Sequence, residues 1–180
     1  MEIPSSHTLI AKIFHWGFII LYTYGMVKQL DDLSQLEDAG LLYFEVVFSI
    51  LFLLIVIFRY LYMRKYKTFF GARKAVSKAH QYLGKTIHIS MYLCLVLLPL
   101  SGLLIAGLYS FGFKDGILQG IAVGIHEFSA SMSYFLIVIH VVGAVYSRIK
   151  GEGIWTSMVP FWKEGKPTSH PKVKKLIDWE

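Results

Sequence analysis

Apolar residues in this chain gather into long blocks instead of alternating with charges. Four blocks stand out, at about 9–27, 40–63, 86–109 and 126–147. Each is close to the roughly 20 residues that cross a hydrocarbon core of about 30 Å. Inside lipid every backbone N–H and C=O has to find its partner within the segment, so the pattern predicts helices and not open strands. The expected fold is all-α. A transmembrane four-helix bundle occupies residues 1–150, and residues 151–180 form an interfacial and cytoplasmic tail.

The interruptions refine this outline. Lys12 and His15 break the start of the first block and no small-residue cleavage site follows it, so the block is expected to stay as a span. Pro99 lies inside the third block and is expected to kink it. The connection at 110–125 is apolar and rich in glycine, which suggests a short helix dipping into the membrane interface. Trp155 and Trp162, followed by Pro167 and Pro171, read as an interfacial segment and then a loosely ordered end.

Composition agrees with a chain whose solvent is mostly lipid. Of 180 residues, 55% are hydrophobic and only 17% charged, and the mean hydropathy is +0.53. A soluble domain of this size needs a much more polar surface. The net charge of +6 would fit nucleic acid in a soluble protein, but here its distribution decides. Eight Lys and Arg and no acid lie between Arg59 and Lys85. The stretch from Lys28 to Glu45 instead carries Asp31, Asp32, Glu37, Asp38 and Glu45. Basic connections stay in the cytoplasm, so both termini are expected there, and no nucleic acid is implied. The lone cysteine, Cys94, lies inside an apolar block and reads as a small buried hydrophobe. Without a CxxC or CxxCH pair there is no zinc ribbon and no covalently attached haem.

Histidine inside a span requires a reason, because it is costly in hydrocarbon. His126 and His140 are fourteen residues apart. At 100° per residue they return to within about 40° of one face, with a rise of about 21 Å. One helix thereby offers one imidazole near each leaflet, the arrangement needed to ligate two stacked haems. His15, one turn past Lys12 on the first helix, falls at the same depth as His140. The two are placed to grip one haem iron from opposite faces through neutral nitrogens. Interhelical hydrogen bonding is the competing explanation for such histidines. Gly17 and Gly143 are expected to leave room beside the ligands. Arg59, at the basic end of the second helix, suits a haem propionate, or else an interfacial anchor. At the outer depth of His126 the second helix offers Glu45, which is a poor axial ligand and would either hydrogen-bond His126 or sit at the interface. His88 reads as a proton-transfer group, a quinone contact or an interfacial polar residue, and His7 as incidental.

Several short motifs carry a family resemblance. They are Ile13-Phe14-His15-Trp16, Arg59-Tyr60-Leu61 with Arg64-Lys65-Tyr66, His88 and Tyr92 before Leu98-Pro99-Leu100-Ser101-Gly102-Leu103, and His126-Glu127, Tyr134-Phe135 and His140. Together, over about residues 8 to 160, the chain resembles the bacterial cytochrome b561 family. That family includes the membrane superoxide oxidase and is related to the b subunits of nickel–iron hydrogenases. The resemblance implies a four-helix bundle with two haems b, inner ligands His15 and His140, and His126 as an outer ligand. The family's other outer histidine falls on Glu45 here, so one haem is expected at His15 and His140, and a second at His126 lacks its partner.

The leading function is an electron-carrying b-type cytochrome working with the quinone pool, a redox partner protein or a small oxidant such as superoxide. Whether the chain alone turns over a substrate as an oxidoreductase is left open. A membrane-anchor cytochrome subunit of a dehydrogenase or hydrogenase, and a haem-free membrane protein, are the alternatives. Homodimer and complex subunit are both compatible with the sequence, and membrane lipid is a partner in every case.

Overall fold

The computed structural model describes residues 7–30, 32–65, 77–160 and 162. The chain runs α1 (Leu9–Val27), a 3-10 turn (Leu33–Glu37), α2 (Ala39–Met63), α3 (Lys78–Ser110), α4 (Gly116–Lys150) and a short α5 (Ile154–Met158). The first four are long and apolar enough to cross a membrane, and they form an all-α four-helix membrane bundle. The chain alternates direction, so one end of the bundle gathers the start of α1, the end of α2, the start of α3 and the end of α4. This is called the basic end, and the opposite one the acidic end. Most of the basic α2–α3 connection, with Pro167, Pro171 and His170 of the tail, lies outside the described residues.

α1, α2 and α3 begin where a short polar side chain satisfies free N–H groups of the first turn. Thr8 accepts from the Ala11 N–H, Asp38 from Gly40 and Leu41, and Ser77 from His80. Gly112 and Gly116, at φ 88° and 85°, make the turn between α3 and α4, a left-handed backbone that favours glycine. Gly151 at φ 67° ends α4, with its N–H and that of Glu152 returning to carbonyls of Arg148 and Ser147.

Two helices start earlier than the hydropathy suggested. α3 begins at Lys78 and not near 86, because its first turns are polar but still helical under the Ser77 cap. α4 begins at Gly116 and not near 126. The expected interfacial helix at 110–125 is instead a turn followed by the first turns of α4. Gln119 and Ala122 there are 1% and 0% exposed, packed against the α3 end around Ile105 and Tyr109. α3 continues through the buried Pro99.

The core is thin, as lipid-facing bundles require. One cluster joins Phe18, Tyr22, Phe52, Val56 and Leu95, and a second joins Leu36, Ile105, Tyr109 and Ala122. Large apolar side chains such as Ile20, Leu51, Leu93 and Phe135 stay exposed on the bundle surface, where lipid covers them. α3 packs extensively on α4 and α2, whereas α1 packs on α2 and α5 and stands off from α4. At mid-depth α1 and α4 are tied by Tyr22 Oη donating to Ser133 Oγ, which donates to the Ala130 carbonyl. At the basic end α5 folds back onto α1, with Trp16 Nε1 donating to the Met158 carbonyl and Lys12 Nζ to that of Thr156. The Arg148 guanidinium lies 3.7 Å over the Trp162 ring.

Candidate haem site at the basic end

His15 on α1 and His140 on α4 meet across the gap between those helices, with ring centres 6.4 Å apart. An imidazole nitrogen sits about 2 Å from a bound transition metal, and the ring centre about 1 Å behind it. Two rings sharing one metal therefore have centres about 6 Å apart, which this pair matches. Gly143, one turn after His140, has nothing within 4 Å of where a Cβ would stand, so open space adjoins that ring. Gly17 does not contribute in this way. It lies about 200° round α1 from His15 and is exposed.

Arg59 reaches this pair from α2. Its Nη2 is 3.1 Å from His15 Nδ1. A guanidinium only donates, so His15 Nδ1 accepts, and the neutral ring then carries its proton on Nε2. The guanidinium also lies 5.4 Å from the rings of Phe18 and Tyr92. Its Nε is buried with no hydrogen-bond partner, and neither described ion pair involves Arg59. A permanent cation held in a span without an anion is unfavourable. The missing element is an anionic oxygen ligand, and a haem propionate has that chemistry. The donor set of two imidazoles and an unneutralised guanidinium thus fits haem b.

His88 on α3, for which a place near the inner haem is one of the expected alternatives, stands beside His140. Its ring centre is 5.0 Å from that of His140, edge to face. Its Nδ1–H donates to the Gly84 carbonyl at 2.6 Å, which leaves the Nε2 lone pair free to accept a proton. Among the described residues no set of three His, Cys, Asp or Glu side chains is arranged to hold a bare metal ion.

The other candidate residues lie elsewhere. His126 is at the acidic end, where its Nδ1–H is shared between the Leu98 carbonyl at 3.1 Å and Ser101 Oγ at 3.0 Å. Ser101 in turn donates to the carbonyls of Leu97 and Leu98. Glu45 pairs with Lys28 of α1 and not with His126. His7, outside the spans, is only 3% exposed. Burial, then the charge of Lys12, lowers its pKa, so it is neutral at pH 7. Its place under α1 was not legible in the sequence.

The family model for prokaryotic cytochrome b561 matches residues 6–161 of this chain. No curated protein and no solved structure gives a match.

Proposed function

This chain belongs to the prokaryotic cytochrome b561 family, membrane b-type cytochromes of electron transfer, and from that premise we propose where it holds haem and how it works. His15 and His140 would hold one haem b at the basic end, and Arg59 would neutralise a propionate. The observation that carries this reading is the 6.4 Å spacing of the two rings beside a buried guanidinium with an unpartnered Nε. When bound there, haem b supplies a one-electron couple, and two imidazoles leave its iron no open position.

The protein's own groups prepare that state. His15 binds a metal through Nε2 only when Nδ1 keeps its proton. Arg59, which donates to that Nδ1 in this structure, would then be free to pair with a propionate. His140 is oriented from α4, and the free Nε2 of His88 beside it can accept or return a proton. That suits a quinone headgroup, whose reduction consumes protons as well as electrons. The basic end faces the cytoplasm of an inner membrane, by the charge pattern of the connections.

The test is a reduced-minus-oxidised spectrum of the purified chain with quinone added. A b-type band that is lost in both His15→Ala and His140→Ala supports the reading, and a colourless chain refutes it. If a dehydrogenase or hydrogenase subunit co-purifies and is needed for reduction, the chain serves as that complex's membrane anchor.

A further inference from the structure

At the acidic end all four long helices enclose a cavity of about 590 Å³. Its volume lies within the about 300–1,000 Å³ usual for cofactor sites, so size does not decide what it holds. The residues do. Of the described histidines, His126 alone lines this cavity. On the α1–α2 side stand Lys28 and Glu45, which are already paired with each other, and Lys28 Nζ also lies 3.9 Å over the Phe44 ring. Met26 packs against the Phe18–Tyr22–Phe52 cluster. Among the described residues lining the cavity, no second imidazole is presented.

The charge balance points the same way. Asp32, Glu45 and Glu127 line the cavity, and among the described residues Lys28 is its only lysine or arginine. Haem brings two further carboxylates, which this wall repels. The basic end has the opposite arrangement, with two facing imidazoles and an arginine in neither ion pair of the described residues.

His126 is fixed through Nδ1, so it could offer a ligand only through Nε2, a single nitrogen. Its Nδ1–H bridges α4 to the Leu98 carbonyl and to Ser101 of α3. Gly102 of α3 sits beside both neighbours there: a Cβ on it would stand 3.3 Å from Ser49 Oγ of α2 and 3.7 Å from His126 Cε1 of α4.

We infer that this chain carries a single haem, at the basic end, and exchanges electrons through that end alone. The inference rests on the haem reading proposed above. His126 is a strut between α3 and α4, and the fourteen-residue rise from it to His140, about 21 Å, holds no second carrier. Donor and acceptor then meet the protein on the same side of the membrane.

Haem quantified against protein tests this, in the full chain and in His126→Leu and His126→Gln. Glutamine keeps an amide donor for the Leu98 carbonyl and cannot serve as an axial ligand. One haem per chain in the wild type, unchanged in His126→Gln even if His126→Leu folds poorly, supports the inference. Two haems in the wild type, or a fall in His126→Gln, overturns it. A wild-type chain without haem would sink the cytochrome reading itself, which is a different result. In vesicles, a membrane-impermeant oxidant should oxidise the reduced haem quickly only from the basic end. Equal rates from both sides overturn the inference.

Discussion

Replacing Arg59 by a neutral residue should lower the midpoint potential of the basic-end haem. The size follows from the geometry. Arg59 Nη2 stands 3.1 Å from His15 Nδ1, and an iron on the far nitrogen of that ring lies about 4 Å beyond. A swing toward a propionate keeps the guanidinium at a similar radius, about 7 Å. With an effective dielectric near 20, one unit charge at that distance is worth about 2 kcal/mol. That corresponds to about 100 mV for a one-electron couple. The sign is fixed because the oxidised haem is the more positive form, so losing a neighbouring cation favours it. Arg59→Gln should therefore titrate about 100 mV lower than the wild type, and Arg59→Lys should recover most of the difference. The assay is a potentiometric titration followed at the haem α-band. An unchanged or higher midpoint in Arg59→Gln, with haem still bound, would refute the placement of Arg59 beside the haem.

Other outcomes follow from the same structure. His140→Ala leaves His15 facing a vacancy, so haem content at the basic end should fall to background while the helical circular dichroism persists. Gly143→Leu fills the open space one turn from His140 and should reduce haem retention without unfolding the chain, as read by haem-to-protein ratio and thermal melt. His7, whose pKa is lowered by burial, binds protons more readily in the unfolded state. Its contribution is present above about pH 6.5 and is lost as pH falls below that value. The melting temperature should drop on mild acidification, and His7→Gln should flatten that slope; an identical slope in the variant would remove His7 as the cause.

The spans were legible because a length of apolar sequence is a direct reading of bilayer thickness. The ends of α3 and α4 were not, for opposite reasons. The start of α3 carries His80, Gln81 and Lys85, so it leaves the hydropathy signal while remaining helical. The start of α4 carries Gly116, Gly120 and Gly124 and reads as loop, but packing of Gln119 and Ala122 against α3 overrides the low helix propensity of glycine. Within the site, helix phase placed His15 and His140 at one depth, and the structure brings them together. Phase along single helices says nothing about rotation of one helix against another. That is why the ring contact of His88 with His140, and the pairing of Lys28 with Glu45, appear only in three dimensions. The fold-back of α5 onto Trp16 depends on a backbone carbonyl as acceptor, which no residue pattern announces.

The candidate ligands His15 and His140 are 125 residues apart in sequence, on the first and last spans. Chains emerge N-terminus first, at about 5–20 residues per second, so the first imidazole waits in the bilayer for several seconds without its counterpart. The pocket comes into being only when the ribosome has finished the fourth span, and the α5 clasp closes later still. Under the proposed ligation, haem loading is therefore a post-insertion event, and a nascent chain stalled before α4 has nowhere to put the group.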